Sequence, residues 1–327
     1  MDVAVGKPVQ AAIRSGAEVT VRVPATSANL GPGFDSFALA LGLYDLITLA
    51  VLPSGLDVRV DGEGAGCVPL TEEHLVVRAV RAGFDHAGAP QPGLRLACRN
   101  GIPHGRGLGS SASAVVAGLV AARHCLADPG ILDDAAVLDL ATRFEGHPDN
   151  AAAALLGGCT VAWTEGDTSG TARAVRLELD PAVDAVVCLP ADELATSKAR
   201  AMLPPTVPHA DAAFNAGRAG LLVAALTQHP NLLLAATEER LHQEQRAGAM
   251  PETARLLHRL RAAGHAAVVS GAGPSLLVLS SGSSGGIGPG ADAVRDTIQK
   301  LTDGLGQWRV IRPGLDTFGA SLTTEGD

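Results

Sequence analysis

The stretch Pro103-His104-Gly105-Arg106-Gly107-Leu108-Gly109-Ser110-Ser111-Ala112-Ser113 is a glycine-rich loop that runs straight into an apolar segment, 114–122, ending on Arg123 and His124. Glycines at alternate positions permit positive φ and bring main chain close to an anion. A helix starting here leaves the amides of Gly109 through Ala112 without intrahelical partners, and its dipole gathers partial positive charge among them. Such a start holds a polyphosphate largely with backbone N–H groups. No Gly-Lys-Ser/Thr follows, so this is no Walker A loop, and the glycine spacing differs from the G-x-G-x-x-G of dinucleotide folds. The paired serines offer a hydroxyl to a metal. Taken alone, the stretch also reads as an ordinary turn.

The 327 residues suffice for a substantial core and suggest two domains of moderate size. A net charge of −9 without any basic stripe argues against a nucleic-acid partner and favours small soluble ones. No apolar run approaches a membrane span, and the Met1-Asp2 start lacks a basic segment joined to an apolar block, so a cytoplasmic protein is expected. The five cysteines form no C-x-x-C pair; four sit among aliphatic residues and read as buried thiols, and a zinc site is not expected.

Outward from the loop, residues 1–17 are small, polar and aperiodic, and a flexible leader is expected there. Alternation predicts strands at 18–23, 45–51 and 94–98, and helical periodicity appears at 72–87 and 133–144. A short helix at 36–41 would be capped by Asp35. After Gly157-Gly158 comes a strand at 159–164, then a polar run, 165–171, which suggests a domain boundary. The second half predicts strands at 173–179 and 185–189, helices between 196 and 263, and strands at 265–270, 275–280 and 308–312. The Ser/Gly-rich run 280–290 reads as a surface loop, unable to hold the strained turn that its G-x-S-x-G match would need as a hydrolase elbow.

Polar side chains crowd at four further places. Pro24-Ala25-Thr26-Ser27-Ala28-Asn29-Leu30-Gly31-Pro32-Gly33-Phe34-Asp35 is rich in turn formers, and Asn29 suits left-handed φ. In Arg143-Phe144-Glu145-Gly146-His147-Pro148-Asp149-Asn150 one helix stops and another begins. Glu145 falls in a last turn, where the dipole disfavours a carboxylate by about 0.3 to 1 kcal/mol; a nearby cation would explain it, as would simple exposure. Asp149 and Asn150 suit the N-cap of a helix over 151–156. His147 has no partner at ligand or triad spacing and reads as structural. Thr196 and Arg200, with Arg246 further on, offer arginine forks suited to a carboxylate, or to a solvated helix face. Val268 to Leu279 reads as two strands joined by a glycine turn.

These stretches, in this order from residue 24 to residue 279, resemble the motifs of the GHMP kinase family, and the wording Ser27-Ala28-Asn29-Leu30-Gly31-Pro32-Gly33-Phe34-Asp35 is most similar to the members that phosphorylate L-homoserine. The resemblance implies an α+β fold of two domains: a nucleotide-binding one over 18–165 and an α/β sandwich-like one over 166–327, with substrate between them. It implies ATP on Pro103 through Ser113, Mg²⁺ on Ser111 and Glu145, and L-homoserine met by Asn29, Asp35, Asp149, Asn150, Thr196, Arg200 and Arg246, both arginines on its carboxylate. It also implies a homodimer and a product on the way to threonine. Among the implied catalytic residues Ser111, Glu145 and Asp149, the last is the weakest, and no convincing base stands out. Another small alcohol such as mevalonate, or a nucleotide-binding relative without catalysis, are the alternative functions. The Glu244-Gln245 before Arg246 departs from the family's frequent Pro-Tyr and puts that arginine's setting most in question.

Overall fold

The computed structural model describes residues 11–166, 170–282, 290–302 and 304–323. The first half contains β1 (Glu18–Asn29), β2 (Gly33–Leu52), β3 (Leu56–Gly62), α1 (Leu75–His86), β4 (Gly93–Asn100), α2 (Ser110–Cys125), α3 (Asp134–Glu145), α4 (Asp149–Leu156), β5 (Cys159–Glu165) and β6 (Thr171–Leu177). The second contains β7 (Val183–Pro190), α5 (Thr196–Ala201), α6 (His209–Thr227), α7 (Leu233–Ala236), α8 (Gln243–Arg246), α9 (Pro251–Ala262), β8 (Ala266–Val269), β9 (Leu276–Ser281), α10 (Ala291–Leu301), β10 (Trp308–Ile311) and β11 (Ser321–Thr323).

The long strand β2 organises the first sheet, ordered β11-β1-β2-β4-β3, with β5 paired to β2 and β6 to β5. Along 45–52 it pairs with β4, and along 37–39 with β5. Register shifts against β1 after Pro24 and after Ala28 bend the ladder between these stretches. The expected helix at 36–41 is therefore strand. Phe37 through Leu41 are buried without alternation, and a short apolar run of that kind carries no period to separate strand from helix. Strand β3, an edge paired in parallel with β4, was not expected.

Helices α1 to α4 contribute to a core built against this sheet. The second sheet, β10-β7-β9-β8, is antiparallel, and alternation along β7 buries both faces: Val186 and Cys188 toward α9 and α10, Ala185 and Val187 toward α6 and α7. The latter cluster also takes in Leu39, Leu41, Ile102 and Leu108, so one apolar core joins the two halves. The boundary expected at 165/166 falls inside the β5–β6 hairpin, whose two strands both belong to the first sheet, as does β11 from the chain's far end.

Of the expected leader, residues 11–17 are tied down at points: Ala11 is buried, Ile13 bridges to Leu126, and the Val51 amide donates to the Ala17 carbonyl, while Ala12 and 14–16 are exposed. Cys98, Cys125, Cys159 and Cys188 are buried free thiols. Most of the 280–290 run lies outside the described residues. No helix among the described residues is long and apolar enough to cross a membrane.

The close crossing of α1 and α2 rests on Gly118, where a Cβ would lie 2.7 Å from both the Ala79 Cβ and the Val76 carbonyl oxygen. Gly118→Val should lower stability by roughly 1 to 3 kcal/mol, read as a lower urea midpoint. Gly217→Ala on α6, where nothing lies within 4 Å, should not lower it.

Candidate active site

The 103–113 loop is anchored by backbone on both sides. Gly105, Gly107 and Gly109 take φ of 63°, 71° and 67°, the left-handed region that disfavours a side chain. A Cβ on Gly107 would strike the Ser270 carbonyl oxygen, and one on Gly109 the Thr26 hydroxyl. The Ser270 hydroxyl reaches the Gly107 carbonyl at 2.6 Å and the Ser27 hydroxyl at 2.8 Å. The Thr26 amide donates to the Leu108 carbonyl at 3.0 Å. Helix α2 then starts at Ser110 with its amides toward the loop, as the glycine pattern requires. Ser113 and Ala112 turn inward instead: both are buried, and Ser113 Oγ donates to the Pro24 carbonyl.

At the mouth of α2, Ser111 Oγ lies 2.6 Å from Glu145 Oε1, the final residue of α3. Burial pushes the Glu145 carboxyl above the usual range; the Ser111 hydrogen bond and the His147 charge act against this, and Asp149 adds to it. Gly146 then takes left-handed φ and turns the chain into α4.

Helix α4 begins at Asp149 itself, with Pro148 in the cap position and no side-chain cap bond, so Asp149 and Asn150 are not caps. Both side chains lie in the cleft. Asp149 is 1% exposed, and its Oδ1 accepts from the Asn150 amide at 2.7 Å and lies 2.6 Å from His147 Nδ1. Asn150 Oδ1 accepts from Thr26 Oγ1 at 2.8 Å. His147 therefore does have a carboxylate partner, two residues away, because the Gly146–Pro148 turn folds the pair together. Burial works against the imidazolium, but the Asp149 hydrogen bond and the charges of Asp149 and Asp35 outweigh it, and the His147 pKa is raised.

The far wall comes from the end of β1, the start of β2 and the second half of the chain. Asn29 takes left-handed φ, donates from Nδ2 to the Gly271 carbonyl at 2.7 Å, and accepts the Asp35 amide at 3.0 Å. Asp35 forms a two-point pair with Arg200 at 2.8 and 2.9 Å. Arg246 is 2% exposed and donates to the Gly271 carbonyl at 3.2 Å; burial and the Arg200 charge lower its pKa, while Asp35 and Glu239 oppose them. Both guanidinium groups lie over the Phe34 ring, at 5.7 and 5.4 Å. Thr196 opens α5 beside them.

One cleft of about 120 Å³ touches Asn29, Asp35, Ser111, Glu145, His147, Asp149, Asn150, Thr196, Arg200, Arg246 and most of the loop. A second cavity, about 320 Å³ and mainly apolar, continues from it past Gly105, Ser110 and Ser111. Its walls are Ile47, Val68, Pro69, Leu75, Val76, Cys98 and Ala114, with Asp45, Glu73, His74, Asn100 and His104 as polar points. His104 thus faces this cavity rather than the cleft. Asp45 Oδ1 accepts the amides of Gly101 and Ile102 at 2.8 and 2.9 Å, and burial pushes this carboxyl up to about 6 against those two bonds. Sequence reasoning missed this cavity, whose lining is scattered over β2, β4, α1 and the loop.

The glycine-rich loop and the α2 start, with Ser111 and Glu145 at its mouth, lie between a mainly apolar cavity and a cleft lined by charged side chains, and the comparisons with known proteins place this chain among small-molecule kinases of the GHMP type. The family models described as GHMP kinases N terminal domain and GHMP kinases C terminal match residues 74–158 and 212–286. The homoserine kinase of Streptomyces coelicolor is 53% identical over 308 residues, covering 94% of each chain. That of Mycolicibacterium smegmatis is 54% identical over 271 residues, covering 81% of this chain and 86% of its own. Among solved structures, homoserine kinase from Cytophaga hutchinsonii superposes with a TM-score of 0.79 at 23% identity, covering 95% of this chain and 98% of its own, a likeness of fold. A putative homoserine kinase from Listeria monocytogenes gives 0.70 at 28% identity, over 95% of this chain and 100% of its own. The chain belongs to the homoserine kinase family of GHMP kinases.

With His147 raised, the stabilisation linked to its charge is present below the ordinary histidine pKa and is lost as pH rises through the raised one. In Asp149→Asn, burial loses its main opponent, and the His147 pKa should fall below the ordinary value. An NMR titration of the ring protons checks this; an unchanged pKa would show that Asp149 does not hold the charge.

Proposed function

We propose that this chain transfers the γ-phosphoryl group of ATP to the side-chain hydroxyl of L-homoserine, giving O-phospho-L-homoserine, a step toward threonine. One observation carries the reading: a single cleft joins the α2 start to side chains suited to an amino acid zwitterion. Asp35 and Asn29 offer acceptors to the ammonium group, and Arg200 and Arg246 offer forks to the carboxylate. Arg200 is already oriented by Asp35, so arriving substrate meets a cation whose conformational entropy is largely spent. Thr196, His147 and Asn150 complete the wall around the acceptor hydroxyl.

The nucleoside would occupy the apolar second cavity, leaving the triphosphate along the amides of Gly107 through Ser111. Ser111 and Glu145 supply the hard oxygen donors that Mg²⁺ takes alongside water and phosphate oxygens. When bound, Mg²⁺ would neutralise charge on the β- and γ-phosphate oxygens. Asp149 Oδ1 is already engaged by His147 and Asn150, which suits it to positioning those two groups more than to taking the hydroxyl proton. Phosphoryl transfer through a loose transition state asks mainly for alignment and charge stabilisation, which this chain's residues provide.

A coupled ADP-release assay with ATP and Mg²⁺ tests the reading, comparing L-homoserine with D-homoserine, L-threonine, mevalonate and galactose. Strong preference for L-homoserine is expected; nucleotide binding without acceptor-dependent turnover would overturn it. Arg246→Ala should raise the homoserine KM about 30-fold or more, the cost of truncating a desolvated charge partner, and an unchanged KM would remove Arg246 from the substrate. Glu145→Gln should lower kcat, with partial rescue by raised Mg²⁺; wild-type activity would remove its metal role.

A further inference from the structure

The segment Glu239-Arg240-Leu241-His242-Gln243-Glu244-Gln245-Arg246 contains a buried histidine that the chemistry above does not use. His242 and Arg246 are four residues apart around the single turn of α8, so their side chains share a face. His242 is 0% exposed. Its Nε2 lies 2.9 Å from the Gly31 carbonyl oxygen, and its Nδ1 lies 3.3 Å from Arg246 Nη1.

These neighbours determine the ring's state. A carbonyl only accepts, so Nε2 carries the hydrogen; a guanidinium only donates, so Nδ1 is bare. The neutral tautomer protonated on Nε2 is the one form that satisfies both. Burial drives the pKa down, with Arg246 acting in the same direction, against Glu239, the Gly31 bond and Asp35.

The surroundings keep this arrangement in place. The Glu239 carboxylate accepts the amides of Leu241, His242 and Gln243 at 2.6, 2.9 and 2.9 Å. Gln243 Oε1 accepts the Val269 amide at 2.6 Å. The Phe34 ring lies 5.1 Å from the His242 ring and 5.4 Å from the Arg246 guanidinium. At Gly31 a Cβ would come within 2.7 Å of the Thr237 carbonyl oxygen, so the 29–35 turn sits directly against this segment.

We propose that His242 is a positioning residue for recognition of the substrate carboxylate, aiming the Arg246 fork from the same turn that carries Asn29 and Asp35. This rests on the assignment of Arg246 to the homoserine carboxylate. The ring ties the carboxylate-reading arginine to the Gly31 carbonyl, two residues from the Asn29 that faces the other end of the zwitterion. Arg246 Nε is buried without a hydrogen-bond partner, so the Nη1 contacts with His242 and Gly271 are what orient the fork.

The test compares two acceptors: L-homoserine, and the amino alcohol in which a methyl group replaces its carboxylate. His242→Phe keeps a planar ring against Phe34, though a larger one, and removes both hydrogen bonds. It should raise the homoserine KM about tenfold, as for loss of a buried hydrogen bond to a charged group, with the ATP KM unchanged. Its kcat/KM on the carboxylate-free acceptor should match the wild type. His242→Gln, which retains a donor toward Gly31 but no acceptor toward Arg246, should show the same selective loss and serves if the phenylalanine variant does not fold. His242→Asn, which returns an acceptor near Nδ1 but not the bond to Gly31, should recover part of the homoserine KM, and no recovery would overturn the role of the Nδ1 contact. Equal losses on both acceptors, or an unchanged homoserine KM, would overturn the proposal. Arg246→Ala on the same acceptors separates the two claims: a carboxylate-independent loss there means that the Arg246 assignment itself has failed.

Discussion

The site depends on backbone meeting backbone at Gly107. Its carbonyl receives the Ser270 hydroxyl, which also meets Ser27 near the end of β1, so the 103–113 loop, β1 and the β8–β9 turn touch at one point. The neighbouring Gly271 extends the junction: its amide donates to the Ala28 carbonyl, and its own carbonyl accepts from Asn29 and Arg246. At 107 a Cβ would strike the Ser270 carbonyl oxygen, and at 271 a φ of 55° lies in the left-handed region that favours glycine. The β8–β9 turn contributes no reacting group; it shapes the loop from behind.

Around that junction the cleft holds two opposite-charge pairs, Asp35 with Arg200 and Asp149 with His147, while Glu145 is hydrogen-bonded to Ser111 and Arg246 to Gly271. Asp35, Glu145 and Asp149 face Arg200, Arg246 and His147. Burying so many charges costs desolvation, seen in the raised Glu145 and lowered Arg246 pKa values, and hydrogen bonds among the groups offset it. A zwitterion can enter such a site by sharing existing partners, since it brings one charge of each sign. The second cavity, which shares Gly105, Ser110 and Ser111 with the cleft, is mainly apolar by contrast.

Several errors of the sequence reading share one cause. The polar run 165–171 has a linker's composition, yet it joins two paired strands of the first sheet, because hairpin pairing is decided by what flanks a turn. Residues 36–41 carry no usable period, since β2 is buried on both sides there. His147 was set aside for want of a partner because side-chain direction within a turn is not visible in spacing. His242 is buried by packing against Gly31 and Phe34, which its place in a charged stretch does not reveal.

The resemblance of the motifs, in their order, named the residues that meet in the cleft, and by itself the sequence determined the helix start at Ser110 and most strands of the second half. These rest on local properties: glycine φ, the orphan amides of a helix terminus, and alternation of apolar residues. Only the tertiary structure decided which half owns β6 and β11, where the apolar cavity lies, and which charges pair. Those depend on contacts such as Arg200 with Asp35, 165 residues apart, and Asn29 with Gly271, 242 apart, whose geometry no local pattern encodes.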